Sequence, residues 1–280
     1  MERSLAQTTG GIAQRERAGG RRASRWQAMF IATIVVSIAA CEWVFVYGDV
    51  AYGILFALGL AMLIHLVVSL FYLNRRIIDC ADSLALIPLY ILFTASLPWF
   101  LLDQQYLLPV VYSCILGLCL WHIYQKKLSL RELFGFSKDT LLRYSLIGIA
   151  LGIPLGTVEY FILHPAPAFP IFEVKYFFRD MVYMLLFVGI GEELLFRGLI
   201  QRAMVGALGW KWGLFGASAL FAVMHLSWRS SLELVFVFLA GLILGALYLK
   251  TKSLVAPIIV HGINNVMLVA VWPYIFTMGQ

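Results

Sequence analysis

Nine apolar runs, most of them long enough to cross a lipid bilayer, dominate the sequence and restrict the folds open to it. A helix needs about 20 apolar residues to span the hydrocarbon core. Unpaired backbone groups are not tolerated in lipid, and the runs lack the alternation of barrel strands, so only helices fit. We predict nine spans, with eight as the alternative because the seventh run is short. The runs lie at about 28–47, 51–73, 84–102, 106–124, 144–163, 177–200, 212–227, 232–249 and 254–276.

The composition indicates a membrane protein rather than a soluble or nucleic-acid-binding one. Hydrophobic residues make up 62% of the chain and charged residues 13%, whereas a soluble domain is about half apolar and about a quarter charged. The net charge is +6, but the basic residues occupy the tail and short loops, so we predict no nucleic-acid partner. We expect an all-α polytopic transmembrane helical bundle in the cell membrane.

Basic residues between the runs predict the orientation of the chain. They are concentrated in the N-terminal tail and in every second loop, and cytoplasmic loops carry an excess of Lys and Arg. We therefore place the N-terminus in the cytoplasm, and nine spans would place the C-terminus outside. The basic residues of the predicted cytoplasmic loops are Arg75, Arg76, Lys126, Lys127, Arg131, Lys138, Arg143, Arg202, Lys211, Lys250 and Lys252, against Lys175, Arg179 and Arg229 on the other side.

The runs divide the chain into four parts. Residues 1–27 are an Arg-rich cytoplasmic tail, and residues 28–125 form four transmembrane helices without a polar cluster. Residues 126–143 are charged and amphipathic, which predicts a connector lying along the membrane interface. Residues 144–280 hold five further spans and the clustered polar residues, and we predict that they form the catalytic core.

The sixth run carries charges where a lipid-facing helix should have none. Glu192, Glu193 and Arg197 lie deep within it, and an ionisable group at bilayer depth costs roughly 3 kcal/mol or more, so it marks a functional site by default. Glu193 and Arg197 are four residues apart, share a helix face and can pair. Glu192 lies about 100° further round the helix. We therefore predict that the pair holds the site in shape and that Glu192 faces the reaction as a general base.

Two later apolar runs carry further polar residues. His225 follows Phe221 by four residues, so the phenyl ring can pack beside the imidazole. His261 precedes Asn265 by four, and Asn265 can either orient His261 or point with it at one substrate oxygen. A glutamate, two histidines and an asparagine in a dry cavity predict a hydrolytic site. The glutamate would activate water, and the histidines and the amide would stabilise the oxyanion of a tetrahedral intermediate.

In this order, the three motifs resemble those of a known family. They are Glu192-Glu193-x-x-x-Arg197, which Phe196 and Gly198 extend, then Phe221-x-x-x-His225, then His261-x-x-x-Asn265. They are similar to the motifs of the type II CAAX prenyl endopeptidases, the CPBP intramembrane proteases that are also grouped under the Abi name. The resemblance covers about residues 140–275.

The resemblance implies an all-helical endopeptidase that cuts a membrane-associated protein or peptide near or within the bilayer. It assigns four residues to the reaction, namely Glu192 and His225 for the water and His261 and Asn265 for the oxyanion. It assigns the support of the site to three others, namely Glu193, Arg197 and Phe221.

The metal requirement is open at this point. Glu192, His225 and His261 could supply a three-ligand zinc site with an open position. The chain has no HExxH pair, and a glutamate-dependent mechanism without metal also fits the family. We expect no obligatory cofactor, with a divalent metal such as zinc as the alternative.

Two other functions compete with proteolysis. The first is a non-enzymatic membrane immunity or accessory factor of the Abi type, since members of the family have been linked to self-protection against bacteriocins. The second is a proton-coupled transporter, in which buried Glu and His residues form a relay. We rank the transporter below both the peptidase and the accessory factor, because the first four spans lack the matching polar set that an inverted repeat would provide.

The remaining polar residues in the runs have simpler interpretations. We expect Glu42 and Glu159, near span ends, to reach water, and Asn264 to face another helix. His65 and His122 are expected to be packing or interface residues.

Overall fold

A computed structural model describes residues 24–135, 138–169 and 171–277. Within these residues the protein consists of helices and the turns between them, without a β-strand, which agrees with the predicted all-α class. The Arg-rich tail lies outside the described residues, apart from residues 24–27.

In the first half of the chain, the described residues form six α-helices, with two 3-10 turns between the fourth and the fifth. They are α1 (Arg25–Tyr47), α2 (Val50–Leu70), α3 (Arg75–Leu84), α4 (Leu86–Ala95), α5 (Leu107–Lys126) and α6 (Leu130–Phe134). Asp49, Asn74 and Ser129 begin α2, α3 and α6, because each side chain accepts a hydrogen bond from a backbone N–H of the first turn. α3 and α4 meet at Ala85 and together make one segment long and apolar enough to cross a membrane.

In the second half, the described residues form five long helical segments, with a 3-10 turn between the third and the fourth. They are α7 (Lys138–Leu163), α8 (residues 174–208), α9 (Trp210–Val223), α10 (Ser231–Thr251) and α11 (residues 255–277). Gly209 separates α8 from α9 at a positive φ of 90°, a conformation that costs glycine little. The tight turn therefore reverses the chain directly.

α8 is not a regular helix. Two π-helical stretches, Tyr183–Gly189 and Leu194–Gln201, flank the short α-helical turn Ile190–Glu193 that carries the acidic pair. A third π-helical stretch, Met267–Val271, follows the polar residues of α11. Such turns are rare and frequently mark functional sites, and here each lies beside a predicted motif.

Seven helices of the described residues are long and apolar enough to cross a membrane, and this number does not confirm the predicted nine. α8 does not qualify as a span, and its regular winding is interrupted by the π-helical stretches. α9 has only 14 residues, because it ends at Val223 rather than near residue 227. The third span begins at Arg75 rather than near residue 84, since the first turns of α3 are amphipathic and their polar residues interrupt the apolar pattern.

α7 packs along α11 through three glycines spaced four residues apart. Gly148, Gly152 and Gly156 share one face of α7, and a Cβ atom on any of them would overlap atoms of α11. Small residues of this kind let membrane helices approach closely. Glu159 lies three residues beyond the last glycine and is buried against α11, so the prediction that it reaches water is wrong.

The outer surface of the bundle is apolar. On α2, for example, Leu55, Met62 and Leu66 are each more than half exposed. In water, a continuous surface of this kind would be unfavourable, whereas lipid accepts it. The exposed faces therefore support a membrane protein independently of helix length.

Candidate active site

Glu193, Arg197 and His261 form a buried ion cluster between α8 and α11. Arg197 Nη1 donates to Glu193 Oε1 at 2.8 Å, so the pair expected from the four-residue spacing is present. His261 Nδ1 lies 2.8 Å from the same oxygen. Because a carboxylate oxygen only accepts, this ring nitrogen carries a proton. Arg197 is 1% exposed and Glu193 is fully buried, so removal of either partner would leave an uncompensated charge.

The two oxygens of the Glu192 carboxylate have different surroundings. The Tyr112 hydroxyl donates to Oε1 at 2.5 Å. Oε2 is buried without a hydrogen-bond partner among the described residues, and it lies 3.7 Å from His261 Nε2. One oxygen is thus held by Tyr112, and the other is left without a hydrogen bond.

His225 lies just beyond the end of α9 rather than on a helix. Its Nδ1 is 2.8 Å from the Phe221 carbonyl oxygen. A carbonyl only accepts, so Nδ1 carries the proton, and Nε2 of the neutral ring keeps a lone pair. The Phe221 ring contacts the rings of His225 and His261, with centroids 4.8 and 5.7 Å away, and the Arg197 guanidinium lies 4.2 Å from its centroid. Phe221 therefore packs among three of the predicted site residues.

Two cavities meet at His225. The larger, of about 200 Å³, is lined by Glu192 and His225 together with Tyr90 and Tyr112, and it has room for several water molecules. The smaller, of about 30 Å³, is lined by His225, His261 and Asn265. The side chains predicted to act on water and those predicted to act on the oxyanion thus border adjoining spaces.

Asn265 does not orient His261, so one of the two predicted alternatives is wrong. The Nδ1 proton of His261 goes to Glu193, and Asn265 Oδ1 instead accepts from Asn264 Nδ2 at 3.2 Å. Asn264 also donates to Glu159 on α7, so it faces another helix as predicted. The Asn265 side chain lines the smaller cavity, where its amide group is available to a ligand.

Comparison with known proteins adds a family to this geometry. Residues 175–267, from the start of α8 to the π-helical stretch of α11, match one family model. The match is to the type II CAAX prenyl endopeptidase Rce1-like family. A search of curated proteins and a search of solved structures gave no match. The family recognised from the three motifs is therefore confirmed over this segment, and the Rce1-like match supports a CAAX-type intramembrane protease in general.

The Rce1-like segment does not contain every residue of the cavity. Tyr90 on α4 and Tyr112 on α5 lie outside it and close the cavity beside Glu192. The sequence analysis missed both, because tyrosine is common in apolar runs and no spacing linked them to the acidic pair. The N-terminal helices therefore form part of the wall of the site.

Several polar residues of the apolar runs are more buried than the sequence indicated. Glu42 is 6% exposed, contrary to the prediction that it reaches water. Glu233, at the start of α10, is fully buried and lies beside Glu159, and the sequence analysis missed it. His122 is buried against Ser83, at 3.2 Å, which agrees with a packing role, and the His65 side chain is about half exposed.

The histidines of the Rce1-like motifs have protein partners. Glu193 binds Nδ1 of His261, and the Phe221 carbonyl binds Nδ1 of His225. Among the described residues, no three His, Cys, Asp or Glu side chains are grouped so that they could hold a metal ion.

Proposed function

We propose that the protein is an intramembrane endopeptidase that hydrolyses a peptide bond of a membrane-associated protein or peptide through a water molecule activated by Glu192. The observation that carries this proposal is the unpartnered, buried Oε2 of Glu192 beside a cavity that His225 also lines. A general base must lie within hydrogen-bond reach of the proton that it abstracts. A water bound in this cavity against Glu192 Oε2 would meet that condition.

In the proposed reaction, Glu192 Oε2 takes a proton from the water while the water oxygen attacks the carbonyl carbon of the substrate. His225 Nε2, with its free lone pair, accepts the second hydrogen of the same water and orients it. When the tetrahedral intermediate collapses, Glu192 returns its proton to the departing amine nitrogen. The products are a carboxylic acid and an amine, and the enzyme ends in its starting state.

The oxyanion of the intermediate is stabilised from the smaller cavity. Asn265 donates from its amide group, while Asn264 holds the amide oxygen. In its protonated form, His261 donates through Nδ1 to Glu193 and offers its second N–H to the oxyanion. Preorganised donors of this kind each contribute about 10²- to 10³-fold to the rate.

The proposal extends to the membrane topology of the chain. We infer that α8 and α9 also lie within the bilayer, so that the chain has nine membrane segments and a cytoplasmic N-terminus.

The reaction as written needs no obligatory metal. We therefore expect cleavage to continue after treatment with a chelator, and a chelator-sensitive enzyme that zinc restores would contradict this.

The decisive experiment compares the membrane peptides of cells that carry the wild type, Glu192→Ala or His225→Ala. Both variants should insert and accumulate normally while cleavage falls by about 100-fold or more, the size of a general-base contribution. Glu132→Gln, an exposed carboxylate on α6, is the matched control and should cleave normally. Normal cleavage by both site variants would defeat the proposal. A cellular phenotype that survives Glu192→Gln would instead favour the non-enzymatic factor.

A further inference from the structure

Another polar cavity lies near the C-terminal end of α8, away from the residues proposed to act in catalysis. It is formed where α3 begins, α5 ends and α8 approaches its end, and its volume is about 260 Å³. Its polar lining consists of Arg75, Arg76, Asp79, Ser83, His122, Lys126 and Arg202. These helix ends carry the basic residues that predict the cytoplasmic face, so the cavity lies at the depth of lipid headgroups.

The charges around this cavity do not balance. Lys126 pairs with Asp79 at 2.7 Å and with Asp82 at 2.5 Å, and Arg75 approaches Asp79 at 3.5 Å. Neither Arg76 nor Arg202 has an ion-pair partner among the described residues. Four cations therefore surround two carboxylates, and two guanidinium groups from different helices remain available to an anion.

The cavity is also built to admit a ligand. Ser83 and His122 lie in its wall, both buried and joined by a hydrogen bond. On the α8 side, Gly206 lines the cavity, and a Cβ atom there would meet nothing within 4 Å. Open space next to two unpaired guanidinium groups is the arrangement that binds a phosphate, because the planar fork of arginine matches phosphate oxygens.

We propose that this cavity binds the phosphate of an anionic phospholipid headgroup, with Arg76 and Arg202 as its principal ligands. Cytoplasmic leaflets are rich in anionic lipids, and basic pockets between transmembrane helices on that side bind their headgroups. The apolar outer faces of the bundle extend from the same end, so the acyl chains remain in the bilayer. The site is independent of the proposed peptidase activity.

The proposal is tested with the full-length protein in nanodiscs of phosphatidylcholine that contain increasing fractions of phosphatidylglycerol, with lipid binding measured by native mass spectrometry. One basic residue near the membrane contributes about fivefold in affinity. Arg76→Gln with Arg202→Gln should therefore weaken phosphatidylglycerol retention by at least about tenfold. Gly206→Leu, which fills the cavity without removing a charge, should weaken it as well.

The matched control is Lys211→Gln with Lys250→Gln, which removes the same charge at the same end of the bundle but outside the cavity, and it should retain the lipid. Equal loss in this control and in the arginine variant would overturn the site, as would unchanged binding by Gly206→Leu and the arginine variant. In a separate arm, inorganic phosphate is added to the protein in neutral detergent. Protection from thermal unfolding by phosphate that needs both arginines, without any preference for phosphatidylglycerol, would overturn the lipid assignment in favour of a soluble phosphate compound.

Discussion

Tyr112 fixes one oxygen of Glu192 from a helix outside the Rce1-like segment. Tyr112→Phe would leave the buried carboxylate without a hydrogen-bond donor, at a cost of about 1–3 kcal/mol. Because the carboxylate would then no longer be held in one orientation, the turnover rate should fall by about 10- to 100-fold, with little change in the amount of folded protein. The rate is measured with an identified substrate. Tyr124→Phe, which alters an exposed residue of the same helix, is the control, and equal rates for the two variants would exclude this role for Tyr112.

Arg197 has a structural role, because it neutralises Glu193 rather than facing a cavity. Arg197→Met would leave a buried carboxylate without its cation, and breaking such a pair costs about 3–5 kcal/mol. We expect the midpoint of thermal unfolding in detergent to be strongly lowered, as measured with a thiol-reactive fluorescent dye or by aggregation. Glu192→Gln should leave the midpoint nearly unchanged while it abolishes cleavage. If both variants lost stability equally, the division of roles between the two glutamates would be wrong.

At the scale of helices, the glycine face of α7 determines how closely α11 can approach. Gly152 is the middle position, where a Cβ atom would come within 2.7 Å of Ile263 Cβ and of the Val260 carbonyl oxygen. Gly152→Val should push α7 away from α11, and overpacking of this kind costs about 1–3 kcal/mol. Because α11 carries His261 and Asn265, cleavage should fall together with thermal stability. Gly117→Val, at an exposed glycine of α5 with open space around it, should change neither, and a mild Gly152→Val phenotype would contradict the packing argument.

At the scale of the whole molecule, we predict the orientation in the membrane from the basic end of the bundle. In a variant without the four native cysteines, Asp103→Cys should react with a membrane-impermeant maleimide added outside intact cells, because it lies in the turn between α4 and α5. Lys211→Cys, in the first turn of α9, should react only after the membrane is opened. Labelling is measured by a mass shift on a gel. The reverse pattern would invert the proposed topology.

The sequence predicts the helical segments well, because a membrane helix corresponds to a continuous run of apolar residues. Each of the nine runs corresponds to a helical segment. The boundaries fail where a helix is amphipathic, as in the first turns of α3, or where an apolar run continues past the end of a helix, as in α9. His225 illustrates the second case, since it lies in the turn after Val223 rather than on the helix.

For the candidate site, the sequence identifies charged residues but not their partners. Glu192, Glu193 and Arg197 are conspicuous in a membrane segment, and the spacing rule for a regular helix pairs the last two correctly. Tyr112 and Glu159 depend on contacts between distant helices, which no local pattern encodes. The partner of His261 is Glu193 rather than Asn265 for the same reason, because two residues four apart share a face without being obliged to touch.

The uneven winding of α8 has a practical consequence for any scan of its surface. A helical wheel assumes about 100° of rotation for every residue, and this assumption fails wherever the hydrogen bonds run from i to i+5. A tryptophan scan along residues 174–208 should therefore give a lipid-tolerant stripe that changes phase at Tyr183–Gly189, stops over the buried residues 191–201, and resumes out of phase in the last turns of the segment. Relatives aligned on hydrophobic periodicity alone would be placed out of step across the very turn that holds the acidic pair.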